Sequence, residues 1–245
     1  MTPIDNRTKA FTRIELVVVI ALLAVLIYVF VLPYFARARQ GSHILCINNM
    51  KQIGIAYRIW SNDNGDKFPD EVSQTNGGWK ELLDNQNSWA YAWMNYLVMS
   101  NEFGQSSRIL ICPKDERKPA TNFSQLANTN ISYFVGIGAN GSHPQAILGG
   151  DRNLGPGDTP RDDYGFSSAD GKGIDVTIKG PVCWSLKMHS NKSTSGAGNI
   201  LLGDGSVQQI TSGNLNLNWL KPATADYTNF TKGQVSSNGV RLIFP

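Results

Sequence analysis

The sequence predicts an α+β fold in which one long N-terminal helix, half of it apolar enough for lipid, packs on an antiparallel β-sheet head. Three observations carry this reading. Leu16 to Leu32 reads LVVVIALLAVLIYVFVL, seventeen residues without a charge. Further on, Cys46, Met50, Ile53, Tyr57 and Trp60 recur at spacings of three and four, an apolar stripe suited to packing a helix on a sheet. The rest of the chain holds short β-branched and aromatic runs separated by Gly, Asn and Asp, the pattern of strands joined by turns.

The apolar run comes first. A helix of that length rises ~26 Å, close to the roughly 30 Å of bilayer hydrocarbon, and Ile14 with Pro33, Tyr34 and Phe35 extends it to a full crossing. A buried core helix of such length ordinarily keeps one polar face, which this run lacks. Arg7 and Lys9 precede it, so a cleaved secretory signal ending near Ala36-Arg37-Ala38 is a second possibility. Glu15 stands on the edge of the run, where a carboxylate facing lipid needs a partner or a purpose.

The residues around Glu15 carry a resemblance. Phe11-Thr12-Arg13-Ile14-Glu15-Leu16-Val17-Val18-Val19-Ile20 resembles the prepilin signature of type IV pilins and type II secretion pseudopilins, in which an aromatic residue opens the mature chain and Glu stands fifth. Ala10 stands where that family usually has Gly, and Arg13 where it usually has an apolar residue. The resemblance implies a pilin-like architecture with a leader over 1–10, the transmembrane part of the helix over 11–40 and an exported head over 41–245. It implies that a prepilin peptidase cuts between Ala10 and Phe11 and methylates the new amine of Phe11. It further implies partners in an inner-membrane assembly platform and in other pilin or pseudopilin subunits, with Glu15 acting in assembly. The N-terminus in the cytoplasm and the head in the periplasm or outside rest on the same resemblance, because basic residues flank both ends of the run.

Beyond the run the helix is expected to continue, with Gly41-Ser42 as a thin point and Asn62-Asp63-Asn64-Gly65-Asp66 as its stop. Trp79 to Leu97 reads as one or two short helices. Strands are expected at Arg108–Cys112, Ile131–Val135, Val182–Ser185, Asn199–Leu202, Val207–Ile210 and Val240–Phe244, with Gly203-Asp204-Gly205-Ser206 as a hairpin turn. The stretch from Gly149 to Gly180 is rich in Asp and Gly and reads as loop. The head also resembles a large subgroup of bacterial pseudopilin-like proteins. The blocks that carry this are Cys46-Ile47-Asn48-Asn49-Met50-Lys51-Gln52-Ile53-Gly54, Asn62 to Pro69, Cys112-Pro113, and a His (His189) ahead of Asp204-Gly205.

The net charge of +3 over 245 residues gives no concentrated basic face, so nucleic acid is not an expected partner. Gly136-Ile137-Gly138-Ala139-Asn140-Gly141 fits GxGxxG, but His143-Pro144 follows instead of a helix, so the glycines read as a turn. The three His (His43, His143, His189) form no HExxH, and CxxC and GxSxG are absent, so no enzyme is expected. His189 and Asp204 are open to a dyad or to a structural hydrogen bond. Asp151, Asp158, Asp162, Asp163, Asp170 and Asp175 supply hard oxygen ligands on a Gly-rich backbone, either a solvated loop or a calcium site centred on Asp162, Asp163, Asp170 and Asp175. Major pseudopilins carry calcium in a comparable loop. Of the three cysteines, Cys46 on the helix stripe and Cys112 at a strand end are the expected disulfide in an oxidising compartment, with Cys183 or buried thiols as alternatives.

Two function classes follow. One is a structural filament subunit that polymerises through its apolar helix. The other is a membrane-tethered surface protein whose aromatics, six Trp among them, bind glycan.

Overall fold

A computed structural model describes residues 12–84, 91–139, 144–190, 195–215 and 240–245, with the backbone alone for 31–40 and 84. Contacts divide the chain into two units whose boundary falls between Ser42 and His43, next to Gly41. The fold is α+β.

Helix α1 runs Arg13–Leu26 and opens with a capping box. The Thr12 backbone N–H donates to Glu15 Oε2 at 2.8 Å, and the Glu15 N–H donates to Thr12 Oγ1 at 3.3 Å. Two amides that the first turn leaves orphaned are thereby satisfied. A π-helical stretch, Ile27–Val31, follows. Helix α2 then runs Leu32–Asp63. Arg13–Phe30 is long and apolar enough to cross a membrane, and none of it is buried within the chain.

Within the head, α2 turns Cys46, Met50, Ile53, Ala56, Tyr57 and Trp60 into the core, the stripe read from the sequence with Ala56 added. The helix stops where Asn64 and Asp66 both donate backbone N–H groups to the Ser61 carbonyl, with Gly65 and Asp66 at φ +66° and +60°. Two short helices follow, α3 over Lys80–Asp84 and α4 over Ala92–Leu97. The expected strand at Arg108–Cys112 is instead a 3₁₀ turn, Ser107–Leu110. Its apolar run drives Leu110 and Cys112 into the core from a turn, and the Leu110 carbonyl accepts from Ser132 N–H at 2.9 Å.

Among the described residues eight strands follow: β1 Tyr133–Gly136, β2 Ile147–Asp151, β3 Leu154–Pro156, β4 Ile174–Ile178, β5 Val182–Trp184, β6 Ala197–Leu202, β7 Val207–Thr211 and β8 Val240–Phe244. Six of them form one sheet in the order β4-β8-β1-β2-β6-β7, every neighbouring pair antiparallel, while β3 and β5 pair separately. The stretch from Gly149 to Gly180 is therefore not all loop. It holds the end of β2, β3, and the half-exposed edge strand β4.

Propensity hid β2, because Gly-Gly is a poor strand former. Here glycine is a steric requirement. Phe134 sits opposite Gly150 in the β1–β2 register, and a Cβ on Gly150 would lie 2.5 Å from the Phe134 ring. Gly198 on β6 repeats the device, with the Trp184 ring 2.4 Å from where its Cβ would be.

Two buried ionic features tie the loops to the sheet. Arg152 and Asp115 form a bidentate pair at 2.7 Å for both contacts, 3% and 0% exposed, and the guanidinium lies 3.4 Å from the Tyr164 ring centre. Arg117 donates to the carbonyls of Asn128, Ile131, Ser168 and Pro245, gathering three separate segments.

Candidate functional site

The sheet register builds a polar row inside an apolar core. Tyr133 on β1 pairs with Asp151 on β2, and Gly150 pairs with Ile200, so the next step sets Asn199 on β6 beside Asp151. Tyr133, Asp151 and Asn199 thus stand abreast on three adjacent strands, all buried. Cys46 of α2 comes down onto this row. Its Sγ lies 3.4 Å from Tyr133 Oη and donates to Asp151 Oδ1 at 3.4 Å.

Two loop residues complete the cluster. Cys112 follows the 3₁₀ turn, and Asn49, one turn along α2 from Cys46, fixes that segment by donating to the Ile111 carbonyl at 2.9 Å. His189 sits in the turn after β5, where Met188 takes a left-handed φ of +62°, a conformation costly for a residue with a Cβ. Asn153 holds that turn, donating from Nδ2 to the carbonyls of Lys187 at 2.9 Å and Ala197 at 3.0 Å. His189 Nε2 then lies 3.3 Å from Cys46 Sγ, 3.3 Å from Cys112 Sγ and 3.4 Å from Asp151 Oδ2. One donor atom from each of Cys46, Cys112, Asp151 and His189 falls within 4.8 Å of every other. Among the described residues this is the one such group of His, Cys, Asp and Glu.

Burial works against charge on Asp151, His189 and Cys46. Burial pushes Asp151 up to about 7 against the hydrogen bonds from Asn199, whose N–H and Nδ2 donate to Oδ2 at 2.7 and 2.9 Å. Burial, then the charges of His43 and Lys114, pulls His189 down to about 3. Burial also raises the Cys46 thiol well above its ordinary range. His189 and Asp151 are consequently in contact without being an ion pair. His43 packs edge-on against His189 with ring centres 4.6 Å apart, and His189 Nδ1 is buried with no hydrogen-bond partner among the described residues.

The sites expected from the sequence fall elsewhere or differently. Ala10 and Phe11, the expected cleavage and methylation site, and the leader lie outside the described residues. Glu15 closes the capping box of α1, a role the Thr12-x-x-Glu15 spacing signals on its own. All three cysteines are free thiols, so the expected Cys46–Cys112 disulfide is not formed. The two sulfurs do meet, but as half of a four-residue cluster in which His189 contacts both. Cys183 is apart from them, donating to the Thr159 carbonyl at 3.1 Å.

The expected calcium ligands are not gathered. Asp163 pairs with Arg161 at 2.7 Å, Asp170 with Lys172 at 3.2 Å and Asp175 with Arg241 at 2.6 Å, while Asp162 is 80% exposed and faces Lys187 at 3.6 Å. Each carboxylate has its own cation, which removes the shared negative charge that would hold calcium. Asp151, read with that loop, is instead the buried carboxylate of the cluster. His189 takes Asp151 rather than Asp204 as its carboxylate, and Asp204 caps the β6–β7 turn by accepting from Ser206 N–H at 2.7 Å. Of the GxGxxG glycines, Gly138 turns at φ +86° and donates to the buried Asp70 at 2.8 Å. Trp60, Trp79 and Trp184 are buried core residues.

Sequence reading missed the cluster because its members stand at 46, 112, 151 and 189, with no local spacing to mark a ligand set. The usable signal was chemical. Cys46, Cys112-Pro113 and His189 each belong to a quoted block of the resemblance, and the structure brings those three side chains to one point. Comparison of the chain with protein-family models, with curated proteins and with solved structures finds no match.

Proposed function

We propose that this chain is a structural subunit of a pilus or a type II secretion pseudopilus, with a pilin-like fold, processed by a prepilin peptidase and assembled through its N-terminal helix. The observation that carries the reading is Arg13–Phe30, apolar throughout after its first turn and without a buried residue, with Glu15 at its start. Apolar area of that extent is stable only in lipid or against other chains, and a filament of packed helices supplies the second environment after the first. A further feature favours neighbours of the same kind. At 100° per residue, Ile44, Ile55 and Ile59 fall on the face of α2 opposite the core stripe, with Leu45 on its flank, and each is 46% to 57% exposed. A second copy of the chain is the natural cover for that face in a helical stack.

In this reading the chain is not an enzyme, and it is anchored by a single pass in a bacterial inner membrane, N-terminus in the cytoplasm and head in the periplasm or outside. The alternative of a tethered glycan-binding protein loses support from Trp60, Trp79 and Trp184, which the core occupies. Mass spectrometry of membrane-extracted protein is expected to find a mature chain beginning at Phe11 with a methylated amine. A chain beginning at Met1 or Arg39 would overturn the proposal.

A further inference from the structure

The cluster of Cys46, Cys112, Asp151 and His189 brings two sulfurs, one imidazole nitrogen and one carboxylate to a single buried point, from a helix, a loop, a strand and a turn. Such convergence needs a reason, because each of these groups is desolvated there and, the Asn199 bonds to Asp151 apart, gains mostly weak thiol hydrogen bonds in return. We propose that the cluster is a structural zinc site, with Cys46, Cys112, His189 and Asp151 as its four ligands.

Distance supports the assignment. Tetrahedral zinc, with Zn–S of about 2.3 Å and Zn–N of about 2.0 Å, spaces its ligand atoms roughly 3.3–3.8 Å apart along the edges. The contacts from His189 Nε2 to both sulfurs and to Asp151 are 3.3, 3.3 and 3.4 Å, already on that scale. A disulfide would need the sulfurs at about 2.05 Å and would leave His189 and Asp151 buried against a group that accepts poorly. Donor chemistry then selects the ion. Two thiolates exclude calcium and magnesium, and a set of two sulfurs, one nitrogen and one oxygen suits zinc. Burial of all four ligands leaves no open position, which fits a structural and not a catalytic centre.

The charges also balance acceptably. On binding, both thiols release their protons to solvent, as does Asp151 where it carries one, and neutral His189 keeps its proton on Nδ1. Zn²⁺ with two thiolates and a carboxylate carries one net negative charge. The row beside it is built to receive that charge: Asn199 donates twice to Asp151 Oδ2, its Nδ2 lies 3.8 Å from Cys46 Sγ, and Tyr133 Oη lies 3.4 Å from the same sulfur. Such outer hydrogen bonds orient and stabilise metal ligands. The ion would lock α2 onto the sheet and onto two loops at once. This inference is independent of the filament reading.

The test uses the full chain extracted in detergent, purified without chelator or metal-affinity resin. Elemental mass spectrometry is expected to find one zinc per chain, lost to background in Cys112→Ser and His189→Ala and retained in Cys183→Ser. Because the first two variants can misfold, the deciding measurement is on the wild type. After zinc removal, cobalt(II) is expected to give the intense visible bands of tetrahedral coordination with thiolate-to-cobalt charge transfer in the near ultraviolet. A wild-type chain that takes up neither ion, a Cys46–Cys112 linked peptide in non-reducing maps, or zinc retained in folded Cys112→Ser and His189→Ala would each overturn the assignment.

Discussion

Helix α1 and the part of α2 inside the head both carry large apolar side chains, yet those side chains end in opposite places. From Arg13 to Phe30 no side chain is buried, whereas from Cys46 to Trp60 one face is sealed in the core and the other carries Asn48, Lys51, Gln52 and Arg58 in solvent among Ile55 and Ile59. The difference lies in what breaks the pattern. Polar residues at helical intervals give α2 a direction, so the sheet can claim one face. Their absence after Glu15 leaves α1 with no preferred face. Hydrophobicity alone therefore does not say where a helix goes; the placement of its polar residues does.

The largest expected effect breaks the head and leaves the anchor alone. Arg152→Ala leaves the Asp115 carboxylate buried beside Tyr164 without its cation, a loss of about 3–5 kcal/mol. Chemical denaturation of the detergent-solubilised protein should show the loss, while the fraction extracted from membranes stays as in wild type.

A second experiment sharpens the contrast through pH. Burial raises Asp70 to about 7, more than the hydrogen bond from Gly138 lowers it. A carboxyl whose folded value exceeds its unfolded one stabilises fully below about pH 4, and that contribution is lost as pH rises through about 7. Asp70→Asn keeps an acceptor for Gly138 and removes the charge, so it should be more stable than wild type at pH 8, by up to ~4 kcal/mol, and little changed at pH 4. Denaturation midpoints at the two pH values check it. Equal midpoints for variant and wild type at pH 8 would show that Asp70 is not held as described.

The smallest effect separates two roles of Glu15. Thr12→Ala removes the partner hydroxyl of the capping box at about 1 kcal/mol in α1 but keeps the carboxylate. Glu15→Val removes the carboxylate and its bonds to Thr12 but keeps that hydroxyl. Electron microscopy is expected to find filaments in Thr12→Ala and none in Glu15→Val, with leader cleavage persisting in both. Loss in both variants would assign Glu15 to the cap alone.

Sequence patterning revealed those elements whose signal is local. The stripe on α2, the stop at Asn64-Gly65-Asp66, the pair of short helices, and strands β1, β5, β6, β7 and β8 all follow from periodicity or turn chemistry over a few residues. The misses have one physical cause. Whether Arg108–Cys112 extends or coils depends on a neighbouring strand to pair with, and whether Gly149-Gly150 can be a strand depends on an aromatic ring fifteen or so residues away. The buried cluster is the extreme of the same case, since register across β1, β2 and β6 makes it and no local window contains it. Even the His189 and Asp204-Gly205 blocks make sense only in the fold. His189 meets α2 at Cys46, and Gly205 meets it at Gly54, where a Cβ would stand 3.1 Å from the Gly205 Cα.

The ring-over-glycine pairs bear on how this sequence can drift. Phe134 with Gly150, and Trp184 with Gly198, each share one volume between two positions, so neither position evolves alone. A side chain gained at 150 or 198 is tolerable only after the facing ring shrinks, and a ring lost first opens a void that the glycine cannot fill. Either order passes through a less stable intermediate. Among homologous chains, then, these positions should exchange as couples, an aromatic against a glycine or two mid-sized residues together, and a homologue that keeps the ring while gaining a side chain opposite would have had to move a strand.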